Sequence, residues 1–201
     1  VEPTPLYFTY PSPFCYLAWQ RTRLRPERYA NVRLSWTPIL FRRLMALTGG
    51  AAGGSPPLQL KYAYADAERW AKAYGVPFAN FDRSAPADQT AHKVHLLAQD
   101  AGGGWEARWL QAAFTAGRIE GRDLTDATVV QALARQAGVP GLARLGEPEL
   151  DARLEANTQR AMRDGVCGVP FLRHGGEAYW GNDRLSWLEA RLAGKPHPEA
   201  L

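Results

Sequence analysis

The sequence predicts a mixed α/β fold: a βαβ unit opens the chain, a long run of helices follows, and a ββα unit closes it. Three observations carry this. An aromatic, β-rich run at residues 6–10 is stopped by Pro11-Ser12-Pro13, a string that ends a strand and starts a helix. Five helical segments then succeed one another between residues 58 and 165 with few strand signals. Finally, two short β-rich runs flank His174-Gly175-Gly176-Glu177, a hairpin turn, and a last amphipathic helix follows.

Taken in order, residues 6–10 form the first strand. Ser12 is the N-cap of the first helix and Pro13 its first residue, where a missing N–H costs nothing. Phe14, Leu17, Ala18 and Leu24 recur at helical spacing, so this helix is read over 14–29. Residues 32–39 alternate with period two, and Pro38 ends that strand or places it at an edge. Residues 49–57 read as a flexible loop, because they lack GxGxxG spacing and no strand leads in. Helices are expected at 58–74, 87–101, 105–116, 126–137 (opened by Asp126 as an acidic N-cap) and 149–163. Residues 169–173 and 178–180 are the closing strands. A helix over 184–193 follows, with Leu185, Leu188 and Leu192 on one face. A βαβ start and a ββα end around an all-helical insertion make a thioredoxin-like fold. Its parts are a thioredoxin-like domain, residues 1–57 and 166–201, and a helical insertion subdomain, residues 58–165.

Composition narrows the function. The chain has 201 residues, 46% of them hydrophobic, with seven Trp, eight Tyr and seven Phe, which excludes extensive disorder. No apolar run approaches the roughly 20 residues that span a bilayer, so no membrane association is expected. The first ten residues lack a basic region followed by an apolar stretch, so no secretory signal is expected. The net charge is +4, from 24 basic and 20 acidic residues that are interspersed. The densest basic cluster, Arg21, Arg23, Arg25 and Arg28, is too short for a nucleic-acid platform. Two cysteines exclude a disulfide framework and favour a reducing cytoplasm. His92 and His95 have no cysteine near them. No metal site is expected, and both read as polar positions on an exposed helix face.

In a fold of this kind chemistry sits where the first strand feeds the first helix, because the helix start offers unpaired N–H groups and partial positive charge. The string there is Ser12-Pro13-Phe14-Cys15. It has C-x-x-C spacing, but serine replaces the first cysteine, so a dithiol cycle lacks its exposed attacking thiol. Cys15, one turn inside, is expected to pack. Ser12 can cap the helix and also donate to a thiolate brought by a ligand, since a hydroxyl has one donor and two acceptor lone pairs. Gly168-Val169-Pro170 lies where this fold places a cis-proline loop, whose backbone at Val169 would pair with a peptide-like ligand. The cis state is a minority for X–Pro bonds, so this expectation comes from the fold.

Ser12-Pro13-Phe14 followed by Tyr16-Leu17-Ala18, then Gly168-Val169-Pro170, then Trp180-Gly181-Asn182-Asp183-Arg184-Leu185 and Leu188-Glu189 resemble the 2-hydroxychromene-2-carboxylate isomerases. That family is related to kappa-class glutathione transferases within the wider DsbA-like group. Lys61, Asp66, Arg69 and Trp70 also resemble its pattern, and the resemblance covers nearly the whole chain. It implies glutathione as cofactor, an aromatic or unsaturated acid as substrate, a cytoplasmic location and a homodimer as the assembly to look for. It implies that Ser12 stabilises the glutathione thiolate, and that Val169 and Pro170 hold the tripeptide backbone. Asn182 and Asp183 would take the γ-glutamyl end, Asp183 pairing with its ammonium, and Lys61 would pair with a ligand carboxylate. The implied reaction is reversible thiol addition to an unsaturated keto acid, isomerisation and expulsion of the thiol. The chain departs from the pattern at Gly49-Gly50, where relatives often carry Asn, at Phe171, where many have Thr, and at Cys15 and Cys167. Two other readings stay open. One is a DsbA-like oxidoreductase using Cys15 and Cys167, whose sulfurs could approach because Cys167 lies in the loop before Pro170; a disulfide needs Cα atoms within about 7 Å. The other is a kappa-like transferase or thiol-binding module without isomerase turnover.

Overall fold

A computed structural model describes residues 2–49, 57–79 and 89–197. Strand β1 (Thr4–Phe8), helix α1 (Pro13–Leu24) and strand β2 (Leu34–Pro38) form the opening βαβ unit. After α2 (Phe41–Leu47) come α3 (Pro57–Tyr74), α4 (Thr90–Ala101), α5 (Trp105–Arg118), α6 (Ala127–Gln136) and α7 (Pro148–Arg163). Strands β3 (Phe171–His174) and β4 (Glu177–Trp180) then make a hairpin, and α8 (Leu185–Leu192) closes the fold. The four strands form one sheet in the order β2-β1-β3-β4. β1 runs parallel to β2, with Leu6 opposite Trp36, and antiparallel to β3, with Leu6 opposite Leu172. β2 is an edge strand, which is why it tolerates Pro38 at its end. This is a thioredoxin-like fold with a helical insertion. The glycine-rich loop lies largely outside the described residues, at 50–56.

The alternation of β1 divides the core. Leu6 and Phe8 face a large cluster with Leu17 and Ala18 of α1, Val94 of α4 and Phe114 of α5. Tyr7 faces the other side, with Leu44 of α2, Ala161 of α7 and Phe171. α7 therefore packs on the sheet itself. Its Asn157 Nδ2 donates to the Pro38 carbonyl at 3.1 Å, and its Thr158 Oγ1 accepts from the Leu40 N–H at 3.0 Å. Those bonds satisfy backbone groups where β2 gives way to α2.

Four local expectations need correction. β1 lies two residues earlier than read, because Tyr10 already belongs to the turn before Pro11. The first helix stops at Leu24: Pro26 disfavours helical backbone at Arg25 (φ −135°), and a 3-10 turn, Pro26–Tyr29, replaces the last stretch. Helix α2 was not foreseen; it is seven residues long, has no side-chain cap and buries only Leu44. His92 and His95 are buried, not exposed. Helix α4 is wedged between the sheet end, α5 and α7, so nearly every side of it is covered. His92 Nε2 lies 2.9 Å from Thr9 Oγ1. His95 Nε2 lies 2.9 Å from the Trp36 carbonyl, which can only accept, so Nε2 carries a proton; it also lies 3.3 Å from Glu106 Oε1, and Nδ1 lies 3.0 Å from Tyr10 Oη. Among the described residues no set of three or more His, Cys, Asp or Glu could hold a metal ion, and no helix is long and apolar enough to cross a membrane.

One buried ion pair joins the first helix to the last. Arg21 of α1 grips Glu189 of α8 with Nε at 2.5 Å and Nη2 at 2.9 Å, and both side chains are under a tenth exposed. Tyr29 Oη (2.6 Å) and Arg28 Nη1 (2.7 Å) complete the shell of the carboxylate. Burial alone would raise the Glu189 carboxyl, but hydrogen bonds from Arg21, Tyr29 and Arg28 hold it below its ordinary value. Glu189→Ala is expected to cost about 3–5 kcal/mol in urea unfolding, since it leaves Arg21 buried without its counter-ion. A carboxyl depressed by folding adds stability above its unfolded pKa, about 4.3, and that contribution is lost as the pH falls through the folded value. The stability difference between wild type and Glu189→Gln should therefore shrink as the pH is lowered below about 4.3.

Candidate active site

Ser12 caps α1. Its backbone is extended (φ −74°, ψ 121°) and its Oγ accepts from the Cys15 N–H at 3.3 Å. Accepting leaves the hydroxyl proton to donate. Pro13 fills the first helical position, and Phe14 next to it enters the wall of a cleft of about 480 Å³. That cleft lies between the starts of α1 and α8. Val169 lines it from the loop before β3, Trp180 from the end of β4, Asn182 and Asp183 from the β4–α8 turn, and Asp66 and Trp70 from α3. Asp66 and Trp70 share a helix face because they lie four residues apart.

Two glycines let these walls close. A Cβ on Gly168 would stand 2.3 Å from Trp180 Nε1, so the indole lies directly on the backbone before Val169. Gly181 has φ +100°, and a Cβ there would meet Asp183 Oδ1 at 2.4 Å. Only glycine makes that turn and still leaves Asp183 its place. The Val169–Pro170 peptide is cis, as the fold led one to expect. Pro170 is buried, and its carbonyl accepts from the Gly181 N–H at 2.9 Å. Among the described residues no hydrogen bond engages the peptide groups of Val169.

The sites read from the sequence thus divide. Val169, Asn182 and Asp183 meet at one cleft, with Ser12 two residues before its Phe14 wall. Lys61 is exposed and is not among the residues lining the cleft. It sits about 140° around α3 from Asp66 and on the opposite side from Trp70. Asp66 and Trp70 were noticed only as part of a family pattern; their spacing on one helix face was the signal that they act together. Arg118, the last residue of α5, was missed. It is 1% exposed, donates to the Pro11 carbonyl and lies over the Tyr64 ring at 6.0 Å. Nothing in its local sequence marks it, since α5 brings it to the start of α1 only through tertiary packing.

The electrostatics separate the two cysteines. Cys15 is fully buried and its thiol is pushed up to about 12, chiefly by desolvation; hydrogen bonding with Ser12 and the Thr9 backbone and the charge of Arg118 act the other way without prevailing. Cys167 is exposed, and both are free thiols, so the disulfide considered above is not formed. A larger cleft, about 610 Å³, lies between Arg25, Arg28 and Lys195 beside the buried Glu189. Both carboxylate oxygens of Glu189 are already engaged there, and the Ser186 hydroxyl on its wall donates to the Asp183 carbonyl at 2.7 Å.

Residues 5–193 match the DSBA-like thioredoxin domain. A curated relative, the 2-hydroxychromene-2-carboxylate isomerase of Pseudomonas putida, is 27% identical over 192 residues, 92% of each chain. A solved 2-hydroxychromene-2-carboxylate isomerase superposes with a TM-score of 0.77 at 25% identity, covering 96% of this chain and 95% of its own. The cytosolic disulfide reductase DsbM from Pseudomonas aeruginosa, solved with GSH, shares the fold with a TM-score of 0.61 at 21% identity, over 96% of this chain and all of its own.

The thiol environments give a direct expectation. A colorimetric thiol reagent should label one cysteine quickly in the native protein and a second only on unfolding. Cys167→Ser should remove the fast reaction. Two fast thiols would contradict the burial of Cys15.

Proposed function

The chain belongs to the DSBA-like thioredoxin domain family, and from that premise we propose that it is a glutathione-dependent isomerase. Its substrates would be a 2-hydroxychromene-2-carboxylate and the matching o-hydroxybenzylidenepyruvate-type keto acid. The observation that carries this reading is Ser12: a hydroxyl, not a thiol, caps the helix start beside the cleft. A fold that elsewhere uses its own thiolate here presents a donor suited to someone else's. The isomerase relatives, 27% identical over 92% of the chain, support the same reaction class.

The residues fit a γ-glutamyl tripeptide. The N–H groups at the start of α1 and the Ser12 hydroxyl would stabilise a thiolate, with the buried Arg118 guanidinium nearby adding positive potential. The unengaged peptide groups of Val169 suit an extended backbone. Asp183 would pair with the ligand's ammonium and the first N–H groups of α8 with its carboxylate. Lys61, which α3 turns from the cleft wall, takes no ligand contact in this reading. Opening of the hemiketal would break its ring C–O bond and pass the 2-hydroxyl proton to the phenolate oxygen, giving the unsaturated keto acid; bound glutathione would supply a thiolate that adds reversibly to its double bond and leaves after rotation about the resulting single bond. Phe14, Trp70 and Trp180 would flank the aromatic acid and limit water. The cytoplasm, where glutathione is abundant, is the location this reading requires, and a homodimer remains its proposed assembly. The burial of Cys15 weighs against the oxidoreductase alternative.

Calorimetry with glutathione and an absorbance assay on 2-hydroxychromene-2-carboxylate test the proposal. Wild type is expected to bind and turn over. Ser12→Ala removes one charge-assisted hydrogen bond, so turnover should fall by roughly ten- to a hundredfold, at a stability loss of only about 1 kcal/mol. Unchanged turnover with that stability loss would reduce Ser12 to a cap, and binding without turnover would leave a thiol-binding module.

A further inference from the structure

The turn that delivers Ser12 is held by a residue of the helical insertion. Ser12 donates its N–H to the Thr9 carbonyl at 3.3 Å, and its own carbonyl accepts from the Tyr16 N–H at 3.3 Å. The Pro11 carbonyl between them precedes the helix, so it takes no part in the helical ladder. Arg118 Nη2 donates to it instead. The Pro11–Ser12 peptide is therefore fixed at both its oxygen and its nitrogen, and Pro13 restricts the backbone of Ser12 on the other side. A peptide held in this way sets the direction in which the Ser12 side chain leaves the chain.

The end of α5 that carries Arg118 is itself anchored. The Arg118 carbonyl accepts from the Ala79 N–H at 2.8 Å. Gly117 beside it lies so close to Leu124 that a Cβ would stand 2.8 Å from Leu124 Cδ1. Arg118 is 1% exposed, and its guanidinium lies over the Tyr64 ring at 6.0 Å. An arginine that only complemented the last carbonyls of α5 could do so in solvent. Burying the charge is costly, and what it reaches is the start of another helix. Its effect extends there: burial pushes the Cys15 thiol and the Tyr16 phenol up, and on both the Arg118 guanidinium acts the other way. Across the cleft stand Asp66 of α3 and Asp183 of the β4–α8 turn, which would oppose an anion at Ser12. Each is paired with an exposed arginine, Arg69 at 3.3 Å and Arg184 at 3.0 Å. Cys167, in the loop before β3, is an exposed thiol.

We propose that Arg118 is a positioning residue for Ser12: from α5 it fixes the Pro11–Ser12 peptide and supplies a standing positive charge at the start of α1, so that an anion forming at the Ser12 hydroxyl meets a cation that need not move. The identity of that anion rests on the glutathione reading. The share of its stabilisation assigned to α5 is separate and is measurable without glutathione.

Ser12→Cys in a Cys167→Ser background places a thiol at the site, while the buried Cys15 stays out of the measurement. The rate of iodoacetamide alkylation against pH, with a phosphine keeping the protein reduced, reports where that thiol ionises. It should titrate below the ordinary thiol value near 8.5. Arg118→Gln carries no charge but keeps an amide N–H, and it should raise the transition by roughly one pH unit; Arg118→Lys should return it to within about 0.3 of a unit. With Ser12 intact, Arg118→Gln should lower turnover with glutathione roughly tenfold at pH 7, and the loss should shrink as the pH rises, since one unit is about a tenfold change in thiolate. A titration unmoved by Arg118→Gln, or moved equally by Arg118→Lys, overturns the proposal. So does a turnover loss that is equal at every pH, the mark of a structural role alone. Should Arg118→Gln not fold, Arg118→Met takes its place with the same expectations. If wild type fails to bind glutathione, the glutathione reading falls, and the titration of the introduced thiol still decides the role of Arg118.

Discussion

Glu189 is a carboxylate held in the interior by Arg21, Arg28 and Tyr29, and the rest of the site depends on that arrangement. Arg21 belongs to α1 and Glu189 to α8, and the beginnings of those two helices frame the cleft. Ionising a buried carboxyl is costly, so the pair persists only with its full set of donors in place. The geometry that satisfies Glu189 is also the geometry that sets Phe14 opposite Asn182 and Asp183. An ion pair of this kind contributes less to net stability than to the choice of a single arrangement, and here it continues through Tyr74 to the amide of Asn182.

On the proposed reading the site is built around a thiol that the protein does not own. Cys15 has withdrawn into the core, where desolvation keeps it protonated, and Ser12 stands at the helix start. The hydroxyl can serve the helix and a ligand together, because capping uses a lone pair and leaves the proton. Around it, Gly168 and Gly181 bring Trp180 and Asp183 against backbone that any larger residue would displace. In the proposed complex the polar contacts for one end of a peptide-like ligand and those for its thiolate would therefore come from different helices, α8 and α1, which the buried Glu189 carboxylate joins.

Much of this was legible in the sequence, for identifiable reasons. Ser12-Pro13 announced the start of α1 because capping chemistry is local. Asp126 did the same for α6, where it accepts from the N–H groups of Thr128 and Val129. The β3–β4 hairpin followed from its paired glycines. What escaped was set by tertiary packing. Helix α2 has no cap and a single buried leucine, so it leaves no periodic trace. His92 and His95 looked like surface residues because nothing near them in the chain reveals that α4 is enclosed and that Thr9, Tyr10 and the Trp36 carbonyl lie within hydrogen-bond distance of their rings. Asn182 was legible as a candidate, and it lines the cleft, but the orientation of its amide depends on Tyr74, 108 residues away. Lys61 was read from a family pattern, and its place on α3 turns it from the cleft wall.

The assignment of Ser12 as the thiolate donor is tested most directly by the pH at which enzyme-bound glutathione ionises, followed through its ultraviolet thiolate absorbance and compared with free glutathione. Donation from Ser12 and from the start of α1 should bring the bound thiol's transition below that of a free thiol, which lies near pH 8.5. A bound thiol that titrates with free glutathione, or above it, would contradict the central claim.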